Sequence, residues 1–183
     1  MATTKTVYLL VGPRGSGKSE YAEILQKQDP SMFIISRDKI LLEITGSVEQ
    51  DPYGGGFYIA ERKLGDLFRE KMVDDAIRKI ILDCWSGNRE QREEWISFLR
   101  RLGATEVIAL YFVTPVELVE NWFWKKPGVA KSTAKCQENK AYYSIDTPRR
   151  DYKFFHQLAK TIDDEGFDQV IRINPTQLEM FIE

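Results

Sequence analysis

The chain has 183 residues, 43% of them hydrophobic and 30% charged, with a formal charge of −2. That length builds one domain with a real core and is short for two. The near-balance of charge excludes a global positive field drawing the protein to nucleic acid, so any such contact would have to be a local patch. The longest apolar runs, such as VYLLV at 7–11, are far too short to span a bilayer. MATTKT at the start is not followed by a secretory core, and Cys84, Cys136 and a single histidine leave neither a disulfide framework nor a zinc site. A cytoplasmic, reducing setting is expected, and there is no internal repeat or low-complexity tract.

In chain order, TVYLLVG (6–12) is an apolar run ending in Gly, which predicts a buried strand, then a Gly-rich loop and a helix over 18–27. MFIIS (32–36) predicts a second strand, followed by a short helix from residue 37 or 38 to about Ile44, stopped by Gly46. DPYGGG (51–56) reads as a loop, with Gly54, Gly55 and Gly56 as a flexible connector or an acceptor-side loop. Over 57–77, Ile59, Leu64, Leu67, Phe68, Met72 and Ile77 recur at helical spacing, and Asp74 and Asp75 fall on that helix's solvated face. KIILDCW (79–85) predicts strand three. The next helix is signed at both ends, by Asn88 with Gln91 three residues on and by Gly103; its apolar face is Trp95, Phe98, Leu99 and Leu102. EVIALYF (106–112) is strand four. Thr114, Pro115 and Glu117 combine cap, first-turn proline and box partner for a helix to about Lys125. Residues 127–146 are polar and basic, Thr147-Pro148 opens a helix to about Lys160, DQVIRI (168–173) is strand five, and Asn174-Pro175 caps a last helix. Strands alternating with helices predict an α/β fold, a five-stranded parallel sheet covered on both faces. Ligands of such sheets bind at the carboxyl edge, where the first loop emerges.

That loop is the chemical signal. Gly12-Pro13-Arg14-Gly15-Ser16-Gly17-Lys18-Ser19 matches the Walker A pattern in full. Phosphate oxygens must approach the main chain, so side chains must be absent where they would block it. Consecutive N–H groups form a nest, and the helix beginning at Lys18 turns its positive end toward the anion. Lys18 reaches the β- and γ-phosphates of ATP or GTP, and the Ser19 hydroxyl ligates Mg²⁺. A chance Gly-rich turn would lack the strand before it and the helix after it.

Two further strand ends carry carboxylates. Ser36-Arg37-Asp38 closes strand two and should lie beside the loop, where Asp38 either accepts a proton from an attacking hydroxyl or, with Ser36, merely caps the short helix. Asp83 ends strand three as either a partner of Mg²⁺ and its water or a turn residue.

GPRGSGKS, then ISRD, then ILDCWSGNREQREEWISFLRRLGA resembles the P-loop kinase group that includes bacteriophage polynucleotide 5′-hydroxyl kinase. The resemblance covers roughly 6–115 and fades toward 160. It implies Lys18 and Ser19 on phosphate and Mg²⁺, Asp38 as general base on a hydroxyl acceptor, Arg37 at the acceptor, and Asp83 in the acceptor or metal site. The implied activity is ATP-dependent phosphoryl transfer, most simply to the 5′-hydroxyl of a nucleic acid or nucleotide. A small-metabolite or nucleoside monophosphate kinase is one alternative, and a non-catalytic nucleotide-binding module another. The chain departs from the group in carrying Leu41 where an arginine grips the acceptor phosphate, and Cys84-Trp85 after Asp83.

Kinases of this class need a mobile cover that excludes water and brings positive charge. A small helical lid is expected over about 125–147, with Lys125, Lys126, Lys131, Lys135 and Lys140 among its cations. Arg149 or Arg150 would supply the closing arginine, or else sit in solvent at the helix start. Trp122-Phe123-Trp124 either packs the lid arm onto the core or stacks a base, and His156 reads as structural.

Overall fold

A computed structural model describes residues 4–46, 55–126, 128–133 and 141–177. Its main sheet joins β1 (Thr6–Val11), β2 (Met32–Ser36), β3 (Lys79–Asp83), β4 (Glu106–Phe112) and β7 (Gln169–Ile173), in the spatial order β2-β3-β1-β4-β7, with every pair parallel. The expected five-stranded parallel sheet is therefore present. Strand alternation divides the core. Val7, Leu9, Ile80 and Leu82 point to the side that packs α2 (Arg37–Thr45), α3 (Gly55–Val73), α4 (Arg89–Arg101) and α6 (Thr147–Leu158). Leu10, Ile81, Leu110 and Phe112 point to the other side, where α1 (Lys18–Gln28) lays Tyr21 and Ala22.

Several local expectations shift. Gly55 and Gly56 open α3 instead of ending a loop, and α3 stops at Val73, so Asp74 and Asp75 fall in the turn beyond it. The buried Lys5 ammonium donates there to the carbonyls of Asp74 and Ile77, a cation at a helix carboxyl end. Along α3 the buried stripe is Ala60, Leu64, Phe68 and Met72, while Ile59 is exposed. On α4 it is Arg92, Ile96 and Leu99, which rotates Trp95 and Phe98 to a half-buried position.

Arg92 explains that rotation. Its guanidinium is fully buried against the fully buried Glu165 carboxylate, at 2.5 Å and 2.6 Å, and it also donates to the carbonyls of Ser86, Gly87 and Leu158. One fork thus pins the loop after β3, the end of α6 and the turn near Glu165 together. Asn88 occupies the N-cap of α4 without a side-chain cap bond, and the expected box with Gln91 does not form.

The lid region differs from a helical cover. α5 (Val116–Lys125) is followed by two short strands, β5 (Val129–Lys131) and β6 (Ala141–Tyr143), paired in parallel. Lys135, Lys140 and Cys136 lie outside the described residues, as do Tyr53 and Gly54. After β7 the described chain ends in a single 3-10 turn, Pro175–Gln177, where a helix was expected.

Candidate functional site

The Gly-rich loop leaves β1 at the carboxyl edge and enters α1 through Gly17, whose φ of 86° is left-handed. The glycines are demanded from behind the loop as well as in front of it. A Cβ on Gly12 would stand 2.8 Å from Phe112 Cβ, and one on Gly15, at φ +78°, would stand 2.6 Å from the Val119 carbonyl. Both distances are shorter than real side chains tolerate, so the loop lies flush against β4 and α5. Ser16 Oγ donates to the Pro13 carbonyl, and the buried Thr114 hydroxyl donates to the Ser16 carbonyl at 2.8 Å. Thr114 is therefore not the cap of α5, a place held by Pro115; it tethers the loop. Arg14 projects the other way, donating to the Tyr143 hydroxyl at 3.0 Å with its guanidinium over that ring.

Lys18 folds back over its own loop, donating to the carbonyls of Gly12 and Pro13 at 2.7 and 2.9 Å. Burial strips water from its ammonium and lowers its pKa to about 8. Asp83 and Asp38 pull the value back up, while Lys126 and Arg14 push it down. Four charged groups thus converge on this one amine.

Asp83 ends β3 in register with Ser36 of β2, so the two strand ends are adjacent. Ser19 Oγ donates to Asp83 Oδ2 at 2.7 Å. A hydroxyl and a carboxylate side by side at the mouth of the loop are the hard oxygen donors Mg²⁺ requires, and the residues fit that ion. The Cβ-free cradle fits phosphate equally well.

Asp38 lies one strand further out than expected, because β3 stands between β1 and β2. The two readings of Ser36 and Asp38 separate in the structure. Ser36 Oγ accepts from the Lys39 amide and is the helix cap, whereas Asp38 takes no part in capping. Its carboxylate, 46% exposed, meets Arg37 Nη2 at 3.2 Å and Lys126 Nζ at 3.9 Å. Leu41 and Ile40 are core residues in contact with the buried stripe of α3 and play no part at this edge. The thiol of Cys84, beside Asp83, is buried and its pKa is pushed far up by desolvation, so it stays protonated.

The cations of the lid region fall into two groups. Among the described lid cations, Lys126, at the end of α5, is the one that reaches Asp38. Arg149 is held by Glu120 of α5 at 2.7 Å, and Arg150 lies exposed near Asp146. No spacing rule singled out Lys126 from the neighbouring lysines; only the bend after α5 does so. Of the aromatic triplet, Phe123 is buried and edge-on to Tyr143. Trp124 carries the Lys131 ammonium over its ring, and Trp122 lies where a Cβ on Gly17 would stand 3.2 Å from its ring. His156 meets the Tyr111 hydroxyl and packs against Tyr152, and burial lowers its pKa, a structural setting.

The strand order and the loop define a nucleotide-binding P-loop protein with the fold of P-loop kinases. Residues 7–150 match the AAA domain family, and the chain belongs to that family. Among solved structures, it is similar to a chain of the Pnkp1/Rnl/Hen1 RNA repair complex, at 15% identity and a TM-score of 0.62, over 88% of this chain and 47% of that one. It is similar to shikimate kinase from Acinetobacter baumannii in complex with shikimate, at 19% identity and a TM-score of 0.54, over 94% and 86% of the two chains. A fungal RNA kinase matches at 18% identity and a TM-score of 0.55, over 94% of this chain and 38% of that one. At these identities the likeness is one of fold, and this chain spans about half the length of the repair-complex chain, 47%. No curated protein matches it by sequence. Among the described residues, no helix is long and apolar enough to cross a membrane.

Proposed function

We propose that the chain is an ATP-dependent phosphotransferase that moves the γ-phosphoryl group to a hydroxyl acceptor. The observation that carries this reading is the convergence of Lys18, Asp38, Asp83, Ser19 and Lys126 on the mouth of the loop. The amides and Lys18 of residues 12–19 hold the phosphates. Ser19 and Asp83 would hold Mg²⁺, which when bound neutralises phosphate charge. The acceptor O–H gives its proton to the Asp38 carboxylate as its oxygen forms the new bond to the γ-phosphorus. The bond from that phosphorus to the bridging oxygen breaks, and ADP leaves. Lys126, which reaches Asp38, neutralises charge on the transferring group in this reading, with Arg149, held by Glu120, and the exposed Arg150 as the arginines that a closed cover would bring in. The lid region, described over 125–126, 128–133 and 141–147, acts as the cover of a single catalytic domain, latched to the loop through Arg14 and Tyr143.

The 5′-hydroxyl of a nucleic acid or nucleotide is the acceptor this reading favours, supported by the sequence resemblance and by two RNA-processing structures among those of like fold. A small-metabolite acceptor is the second reading, favoured by the buried Leu41 in place of a phosphate-gripping arginine. The test is transfer from γ-labelled ATP with Mg²⁺ to a panel of 5′-hydroxyl oligonucleotides, nucleosides, nucleotides and small alcohols. Label on an acceptor, lost in Asp38→Asn while ATP still binds, supports catalysis. ATP binding with no labelled product from any acceptor leaves a nucleotide-binding module instead.

A further inference from the structure

Thr114 stands in the turn between β4 and α5, and that turn is fixed from two sides. The Val113 amide donates to the Ile173 carbonyl of β7 at 2.9 Å, and the Pro115 carbonyl accepts from the Leu118 and Val119 amides of α5. Close packing keeps the phosphate loop in step with it. A Cβ on Gly12 would meet Phe112, and one on Gly15 would meet the Val119 carbonyl and the Phe123 amide, at 2.6 and 3.0 Å. Thr114 is fully buried at this contact, and its hydroxyl donates to the carbonyl of Ser16, itself 1% exposed.

That carbonyl shares one peptide unit with the Gly17 amide. The unit is trans, and in a planar trans unit the C=O and N–H point in opposite directions. A Ser16 carbonyl drawn back to Thr114 therefore turns the Gly17 N–H away from β4. It faces the opposite flank of β1, where β3 brings Asp83 to Ser19. Little in the loop itself enforces that orientation. Gly17 has no Cβ, so the unit can turn over at small steric cost, and α1 has no side-chain cap to hold its first turn. Turned over, the unit would present a carbonyl oxygen to phosphate in place of a donor.

Resting on the loop as a phosphate site, which the kinase reading shares, we infer that Thr114 is a positioning residue for the nucleotide. Its hydroxyl locks the Ser16–Gly17 peptide so that the Gly17 N–H is donated to a phosphate oxygen. The ligand class it serves is a polyphosphate chain with or without a nucleoside, because this amide meets phosphate alone. Serine keeps the hydroxyl that makes the bond, whereas valine keeps the shape and loses it.

The test separates positioning from packing. Wild-type protein, Thr114→Val and Thr114→Ser are titrated by calorimetry with tripolyphosphate and with ATP, well below the unfolding midpoint of each. In wild-type protein labelled with ¹⁵N-glycine, the Gly17 amide is followed by NMR. Thr114→Val is expected to weaken both ligands by the same factor, about ten- to a hundredfold, while Thr114→Ser stays within about threefold of wild type. The Gly17 amide resonance is expected to move downfield as tripolyphosphate binds, a reading that stands even if the valine variant fails to fold. Unchanged affinity in Thr114→Val, whatever its Tm, an equal loss in Thr114→Ser, or a Gly17 resonance that stays in place on binding would each overturn the inference. If both ligands bind as expected and no acceptor is labelled, Thr114 keeps its role and the kinase reading falls. If the wild type transfers label and Thr114→Val does so with the same KM for ATP, the kinase stands and the role of Thr114 falls.

Discussion

Lys18 makes nucleotide affinity depend on pH in a window where few other groups titrate. Desolvation leaves its pKa at about 8 against an ordinary 10.5, so the free protein carries the charge below that value and loses it above. A triphosphate placed against the amine favours the charged form and holds the proton. Binding at high pH must therefore first recover a proton, and affinity falls as pH rises through about 8. With that value, roughly nine-tenths of the free protein is charged at pH 7 and roughly one-tenth at pH 9, which weakens ATP binding about tenfold between them, or ~1.4 kcal/mol. The phosphates' own titration, near pH 6, lies below the window. Calorimetry of ATP binding at pH 7, 8 and 9 in two buffers of different ionisation enthalpy measures both the slope and the proton taken up. Lys18→Met is expected to bind weakly and without the slope. A wild-type affinity flat from pH 7 to 9, or the same slope in Lys18→Met, would refute the argument.

Asp38→Asn should lower turnover by about 10²–10⁴ with nucleotide affinity intact, as for loss of a general base; steady-state transfer set beside an ATP titration decides it. Asp83→Asn and Ser19→Ala should each raise the Mg²⁺ concentration for half-maximal transfer, measured by metal titration, and equal metal curves would place the ion elsewhere. Arg92→Met strands a buried Glu165 carboxylate and should cost about 3–5 kcal/mol, a Tm loss of order 6–20 °C, with part of it restored when Glu165→Gln is added. Gly15→Ala forces a Cβ to 2.6 Å from the Val119 carbonyl at a left-handed φ and should cost about 1–3 kcal/mol, visible as a lower Tm together with weakened ATP binding.

Local signals were read well where the residue's own chemistry decides its place. The apolar runs gave every strand of the main sheet, and Ser36 capped its helix as a short hydroxyl before a first turn does. Signals that depended on which neighbour a side chain meets were less legible. Asn88 and Gln91 have the spacing of a capping box, yet the pull of Arg92 toward Glu165 fixes the helix phase and leaves Gln91 Oε1 buried without a hydrogen-bond partner among the described residues. Thr114 has the look of a cap, but its hydroxyl donates to the Ser16 carbonyl of the loop and Pro115 takes the cap position. The two short strands of the lid region had no apolar alternation to betray them, because β5 and β6 are three residues each and meet α5 through Lys131 over Trp124 and Tyr143 against Phe123.

By itself, the order of residues determined the alternating α/β plan, the phosphate loop at 12–19 and the carboxylates at the ends of strands two and three, since each follows from periodicity or from a motif within one short segment. Only the tertiary structure decided the rest. It set β3 between β1 and β2, brought Lys126 rather than Arg149 to Asp38, and joined Arg92 to Glu165 across the core. Strand order, helix phase and the bend after α5 are fixed by contacts between residues far apart in the chain, and no local pattern records them.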